Sequence, residues 1–517
     1  MKHIKIKKKP KWFRELLRRR LFFCLLILLQ LLILIFSIFA RSSTSAIIGT
    51  AFQVISVVVA LHIISRNDRE AYKLTWVFFI LIFPVFGGLM YLFFRFQTRS
   101  KKMLRRAGAV RDAVKAAQIL PTAYPEASDA FPEHARQIEY LEKYAGFPIY
   151  ANGEAEYLCP GEKFFERLLL DLEKAEKYIF IESFIIEDGE MWRSVYDILK
   201  KKAAAGVDVR VIYDDMGCFL RLPRRFTEEL RQYGIKCDIF NRFIPVLTAV
   251  QNYRDHRKIV VVDGTVAYTG GLNIADEYIN KISPFGHWKD AGVRIEGESA
   301  FGFALIFLQM WMLMGHDEGD LSVYRPAADR ESTPREGGFI QPYASTPLEN
   351  ERISEDVYMH IIGKAKKYVY IQTPYLIIDN SMISALTIAA KSGVDVRIMT
   401  PHHWDKRFVH FMTRSYYREL IRAGVKIYEY APGFLHAKTF VCDDEIVTVG
   451  SANMDFRSLY LQFECGAFFC GTKVVDEVRE DFLSTVPVCK EMTEAECRCN
   501  AVVRFLQDVF RLLAPLM

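Results

Sequence analysis

Three long apolar blocks open the chain, and an alternation of helical and strand-like periods fills the rest. The blocks cover 21–40, 46–65 and 75–94, each twenty residues without Asp, Glu, Lys or Arg. A helix rises about 1.5 Å per residue, so twenty residues match a hydrocarbon layer of about 30 Å. The pattern predicts three N-terminal transmembrane helices. A cleaved signal peptide is the competing reading of the first block, but its apolar core is long for one and two more blocks follow. Beyond residue 140 the period changes. "FFERLLLDLEKAEKY" has helical apolar spacing, "YIFIESFII" is a β-branched and aromatic run, "VYDILKKKAAAG" is helical up to a capping glycine, and "VDVRVIYDD" is a strand again. That order predicts α/β architecture with parallel or mixed sheets.

The α/β pattern occurs twice. "KAEKYIFIESFIIEDGEM" (174–191) matches "KAKKYVYIQTPYLIIDNSM" (364–382), and "AGVDVRVIYDD" (205–215) matches "SGVDVRIMTPH" (392–402). "YGIKCDIFN" (233–241) matches "AGVKIYEYA" (423–431). Offsets of 187 to 190 residues are far too long for a solenoid repeat and indicate a duplicated domain. The chain therefore divides into a basic segment 1–20, a membrane domain 21–94, a charged helical linker 95–140, a first half 141–328, a joint 329–352 and a second half 353–517. The last of these ends in an amphipathic helix, "VVRFLQDVFRLLAPLM", expected to pack on the body rather than lie on a bilayer.

Charge narrows the partners. The formal net charge of the 517 residues is +6, but the first twenty carry +9, leaving −3 for the remainder. A nucleic-acid binder shows a basic domain or stripe, so nucleic acid is not an expected partner. The basic N-terminus beside apolar sequence points to a membrane, with that terminus inside. Three crossings then place the body outside, whereas six basic residues in 95–106 argue for inside. The ten cysteines form no paired C-x-x-C framework, and the lone C-x-C of Cys497 and Cys499 does not make a metal site.

The candidate chemistry lies in the repeat. His256, Lys258, Asp263 and Asn273 in "YRDHRKIVVVDGTVAYTGGLNI" recur as His436, Lys438, Asp443 and Asn453 in "FLHAKTFVCDDEIVTVGSANMD", each 180 residues on. Side chains two apart on a strand share a face, so each histidine and lysine point the same way. Asp263-Gly264 and Asp443-Asp444 are hairpin-turn signals, after which Gly270-Gly271 and Gly450-Ser451 let each asparagine return to the His/Lys end. An imidazole, a cation and an amide at one end of a hairpin suit a phosphodiester. Lysine and asparagine hold the non-bridging oxygens while histidine attacks or moves a proton. A single H-x-K would read as a surface pair, and a single Asp as a turn residue; two copies with identical spacing are not coincidence. The aspartates follow their histidines by seven, an odd number, so on a regular strand they face away and shape the turn. His402-His403 has no companion cluster and reads as loop chemistry.

The duplicated H-x-K-x4-D-x6-G-[GS]-x-N resembles the phospholipase D superfamily from about residue 150 to the end. "AYKLTWVFFILIFPVFGGLMYLFF", "YIQTPYLIID" and "NMDFRSLYLQFE" are specifically similar to bacterial cardiolipin synthases. The resemblance implies two halves packed around one shared active site, with His256 as nucleophile through a phosphohistidine and His436 as acid and base. It also places supporting acids at Glu464, eleven after Asn453, and at Asp290, where the first-half spacing is displaced because position 284 is proline. Three apolar blocks in place of the family's usual two, Gln462 where Asn is usual, and a joint without Ser-Gly-Pro depart from its pattern.

The reaction so implied joins two phosphatidylglycerol molecules, releasing glycerol and forming cardiolipin at the bacterial plasma membrane. One phosphodiester replaces another, so no cofactor and no metal is expected, and no P-loop glycine run is present. Arg221, Arg224 and Arg225 are candidates to steer anionic headgroups, with a solvated cluster as the plain alternative. The competing activities are hydrolysis to phosphatidic acid, transfer to serine or ethanolamine, and, disfavoured by the acidic body, a phosphodiesterase or nuclease.

Overall fold

A computed structural model describes residues 43–66, 70–83, 87–88, 91, 101–118, 122–151, 153–242, 252–326 and 337–516. The chain divides into two compact units, one of residues 1–100, 243–252 and 509–517, the other of 101–242 and 253–508.

In the first unit, helix Ser43–Ile64 covers the second apolar block and helix Glu70–Ile82 the start of the third. Ile63, Trp76, Ile80 and Tyr91 form a small buried cluster, with the Trp76 and Tyr91 rings edge to face at 5.5 Å. The first block, 21–40, lies outside the described residues. Helix Glu70–Ile82 has 13 residues, about 20 Å of helix and short of a span. Among the described residues no helix is long and apolar enough to cross a membrane. This corrects the expected transmembrane helices, and with them the membrane-bound, multi-pass placement built on the three blocks.

The second unit holds both α/β halves. In the first, strands Gly153–Leu158 (β1), Tyr178–Ser183 (β2), Asp208–Asp214 (β3), Lys236–Phe240 (β4), Lys258–Val262 (β5), Val266–Gly270 (β6) and Gly292–Gly297 (β7) form one sheet. Its order is β1-β7-β6-β5-β2-β3-β4. The pairs β2/β3 and β3/β4 are parallel and the rest antiparallel, so the sheet is mixed. The second half repeats the plan with Phe339–Ser345 (β8), Tyr368–Gln372 (β9), Asp395–Pro401 (β10), Lys426–Tyr430 (β11), Thr439–Cys442 (β12), Ile446–Gly450 (β13), Gln462–Cys470 (β14) and Cys489–Met492 (β15). Here the order is β8-β14-β13-β12-β9-β10-β11-β15. The matched hairpins keep the same register: Ile259 faces Thr269 and Thr439 faces Val449.

One hydrophobic cluster runs through both sheets, joining Val261, Ala267 and Ile295 to Val441, Val447 and Phe469. Helix Glu298–Met314 passes through it with thirteen of its seventeen residues buried. Its sequence is apolar on every face, which is how a helix reads when it is enclosed on all sides. Gly302 makes that enclosure possible, since a Cβ there would sit 2.7 Å from Pro342 of the second sheet. The linker contributes helices Lys101–Ala117, Tyr124–Ala130 and Ala135–Tyr140, and Val110 and Val114 of the first join the same core. Among the described residues, nothing fully buries a side chain of the C-terminal helix Ala501–Leu513.

Candidate active site

Each H-x-K copy opens on a hairpin whose turn is held from outside. Asp263 and Gly264 have φ of 53° and 69°, and Asp443 and Asp444 of 55° and 63°, the left-handed pair that a type I′ turn demands. The Asp263 carboxylate accepts the amide protons of Glu176, Lys177 and Tyr178 at 2.7 to 2.8 Å. Asp443 does the same for Lys366, Lys367 and Tyr368 at 2.6 to 2.8 Å. Both aspartates thus tie their hairpin to the start of the neighbouring strand, at the end opposite the histidines.

At the other end the two halves cross. Arg254 and Asp255, just before His256, pair in parallel with Gln462 and Phe463 of β14, and the His256 amide donates to the Phe463 carbonyl at 3.0 Å. Reciprocally, Gly433–Leu435 pairs in parallel with His287–Lys289, and the His436 amide donates to the Lys289 carbonyl at 2.7 Å. Each histidine is therefore delivered beside the acid of the opposite half. His256 Nδ1 lies 2.9 Å from Glu464 Oε1, and His436 Nδ1 lies 2.6 Å from Asp290 Oδ2. With Nδ1–H donating to a carboxylate, each ring keeps a lone pair on Nε2.

The residues after the hairpins explain the G-[GS] of the motif. At Gly271 a Cβ would meet Asp290 Oδ1 at 2.0 Å, so the acid leaves no room for a side chain. Ser451, its counterpart, instead donates its hydroxyl proton to Glu464. Asn273 accepts from the Ile185 amide at 3.1 Å and donates one of its two amide protons to the Tyr278 hydroxyl at 2.6 Å. Asn453 donates to Asp455 at 2.9 Å, and its buried Oδ1 has no hydrogen-bond partner among the described residues.

Both lysines are buried, and their ammonium groups donate to the carbonyls of their own histidines, Lys258 at 2.7 Å. Burial pushes the Lys258 ammonium down to about 8 and that of Lys438 to about 7. Burial likewise lowers His256, against the opposing pull of Glu464, and takes His436 down to about 4 with the Lys438 charge acting in the same sense. Glu464 and Asp290 stay below the usual carboxylate range. Burial alone would raise them, and it is outweighed by His256 and Lys258 for Glu464 and by His436 and Lys438 for Asp290. Each lysine also lowers the histidine of the other half, so the two motifs share one electrostatic site. An anion entering beside them would favour the charged forms of both lysines and both histidines.

The halves differ behind the histidines. Arg257, wholly buried, lies 3.9 Å from Glu182 and stacks over the Phe463 ring at 5.4 Å. Asp255 beside it takes part in the same buried network, its amide donating to Asp214 at 3.1 Å. The second half has Ala437, Gln372 and Leu435 where the first has Arg257, Glu182 and Asp255. Lys289 of the first half, whose carbonyl accepts the His436 amide proton, turns its ammonium to Asp481 at 2.5 Å, and Gln372 donates to the same carboxylate at 3.1 Å. Reading the motif as H-x-K hid this difference, which was visible in the middle letter. Aromatic packing is also unequal, since His436 contacts Tyr278 and Trp288 at 5.5 and 5.3 Å while His256 contacts Phe184 at 5.0 Å. Outside the site, His402 pairs with Glu429 at 2.8 Å, and Arg221 is held by Glu187 and Glu277.

A duplicated mixed-sheet frame that sets two carboxylate-held imidazoles and two buried lysines into one site defines the class of two-histidine phosphodiester transferases. Comparison with known proteins places the chain within it. The family model described as cardiolipin synthase, PLD-like domain, matches residues 168–284 and 358–486, and one described as Phospholipase D-nuclease N-terminal matches 54–95. A cardiolipin synthase of Halalkalibacterium halodurans is 34% identical over 502 residues, covering 95% of this chain and 99% of the relative. Cardiolipin synthase 2 of Bacillus anthracis is 34% identical over 469 residues, covering 90% and 91%. An uncharacterized protein of Streptococcus mutans is 38% identical over 465 residues, covering 88% and 99%. The crystal structure of a phosphatidylserine synthase from Haemophilus influenzae shares the fold, with a TM-score of 0.56 at 15% identity over 74% of this chain and all of that one. The chain belongs to the cardiolipin synthase group of the phospholipase D superfamily and is a phosphatidyltransferase.

Proposed function

We propose that this enzyme transfers a phosphatidyl group from one phosphatidylglycerol molecule to another, releasing glycerol and forming cardiolipin. The crossed pairs His256–Glu464 and His436–Asp290 beside two buried lysines carry this reading, because they equip one phosphate site with two separately oriented imidazoles.

In the first step His256 Nε2 attacks phosphorus and a P–N bond forms as the bond to the glycerol oxygen breaks. That oxygen takes a proton from His436. Burial and the Lys438 charge hold its imidazole down to about 4, and an entering phosphate anion favours protonation. An imidazolium held so reluctantly is a strong acid toward the leaving alkoxide. In the second step neutral His436 takes the proton of a hydroxyl on the second phosphatidylglycerol. That oxygen attacks phosphorus, and the P–N bond to His256 breaks. Lys258 and Lys438, with Asn273 and Asn453 beside them, face the non-bridging oxygens in this scheme, and Glu464 and Asp290 hold the rings through Nδ1. Asp263 and Asp443 act only through the hairpin turns.

The test follows purified enzyme with phosphatidylglycerol vesicles for cardiolipin, glycerol and phosphatidic acid. Cardiolipin and glycerol in equal amounts are expected. Phosphatidic acid without cardiolipin would make the enzyme a hydrolase, and product only on adding serine or ethanolamine would make that alcohol the acceptor. Acid-labile phosphate trapped on a peptide containing His436 rather than His256 would reverse the two roles.

A further inference from the structure

Two loops leave the carboxyl ends of matched strands, one in each half, and both present apolar side chains to solvent. After β3, residues 215–225 expose Met216 at 45%, Phe219 at 49% and Leu220 at 89%. After β10, residues 402–408 expose Trp404 at 42% and Phe408 at 40%.

The first loop is built, not slack. Asp214 accepts the amide protons of Met216 and Gly217 at 2.8 and 3.0 Å, and a Cβ at Gly217 would strike the Phe184 carbonyl at 2.0 Å. Phe184 is the ring against His256. Arg221 fastens the far side to Glu187 and Glu277, and buried Cys218 fills the floor. On this platform Leu220 has φ of 67°, a left-handed conformation that is strained for any residue with a Cβ. A leucine both strained and almost wholly exposed is a feature that folding alone does not favour. The second loop is held by the Tyr375 hydroxyl donating to Asp405 at 2.5 Å, and Tyr375 reaches His436 through Phe434, with ring separations of 6.4 and 6.0 Å.

Charge at the tips has one prevailing sign. Arg224 and Arg225 are exposed on the first loop, and Lys406 and Arg407 on the second, where Arg407 stacks over Trp404 at 4.5 Å. Against them stand Asp215, partly buried, and Asp405, engaged by Tyr375. Apolar tips ringed by arginine and lysine fit the boundary between acyl chains and anionic headgroups. The duplication links one such loop to each histidine, the first through Phe184 and the second through Tyr375 and Phe434.

We infer that loops 215–225 and 402–408 together form a docking surface for an anionic phospholipid layer, seating the shared site on the lipid that supplies its substrate. This rests on the phospholipid reading of the site, and the test separates the two. Hydrogen exchange of the full chain would be compared without vesicles, with phosphatidylcholine vesicles, and with vesicles that also contain phosphatidylglycerol. Slowed exchange in both loops is expected, stronger with phosphatidylglycerol; unchanged exchange in both loops overturns the inference.

Leu220→Gly relieves the left-handed strain, so with Trp404→Ser it removes apolar tips from a fold at least as stable at position 220. The double variant should transfer about tenfold more slowly from vesicles while keeping its rate on a short-chain phosphatidylglycerol dissolved as monomers. Equal loss on both substrates, or no loss on vesicles, overturns the docking role. Loop protection without any cardiolipin formed would leave docking standing and remove the proposed reaction.

Discussion

Glu464 of the second half holds the imidazole of His256 in the first, 208 positions away in the chain and 2.9 Å away in space. Glu464→Gln keeps the shape and removes the charge that orients the ring. The expected loss is about 10²–10⁴-fold in kcat, by analogy with other imidazole-orienting carboxylates. Asp290→Asn should act in the same way on His436. Steady-state transfer, with circular dichroism confirming the fold, checks both. An unchanged kcat in either variant would remove the orienting role.

The lysines predict opposite trends for activity and stability with rising pH. Buried Lys438 and Lys258 lose their protons near 7 and 8, so the free enzyme's grip on phosphate, read as kcat/KM, should fall as pH rises through that range. Stability moves the other way. An unfolded lysine keeps its proton until about 10.4, so the unfolded chain binds more protons and the folded state gains with pH. Lys438→Met should therefore show a flatter dependence of urea midpoint on pH between about 7 and 9. A parent and variant with parallel profiles would contradict the assignment.

Asp443 is expected to matter for the fold more than for the chemistry. Replacing it with alanine abandons three amide protons at the start of β9 and should lower unfolding free energy by about 2–3 kcal/mol. The kcat of the folded fraction should stay within about threefold, since hydrogen bonds at the turn do not enter the barrier. Urea titration and active-site-normalised rates separate the two effects. Asp263→Ala is the matching experiment in the first half.

Gly271→Ala tests the packing behind the motif. The new Cβ would lie 2.0 Å from Asp290 Oδ1, so the carboxylate must leave His436 or the hairpin must shift. A loss of about 10²-fold in kcat is expected, comparable to removing a positioned proton-transfer group. Ser451→Ala, which deletes one hydrogen bond to Glu464, should cost less than about tenfold. Equal effects in the two variants would rule out the steric account.

Much of the frame was legible because it is local. Strand period, turn chemistry and equal spacing in the two copies pointed to a duplicated α/β body and singled out His256, Lys258, His436 and Lys438. Hydropathy was also legible in the apolar blocks, but it counts residues and does not see helix ends. Helix Glu70–Ile82 stops at 13 residues. The helix Glu298–Met314 is apolar on every face, so its enclosure was legible, but not that the enclosing elements would be two sheets from different halves.

The sequence by itself determined which residue types stand at each hairpin, because a two-residue period and a tight turn are properties of a few consecutive peptides. Only the tertiary structure decided which acid serves which histidine. Glu464 lies nearer in the chain to His436, but parallel pairing of Gln462 and Phe463 with Arg254 and Asp255 carries it to His256. Such pairing follows from two sheets closing over one core, a relation between distant surfaces that no local pattern encodes.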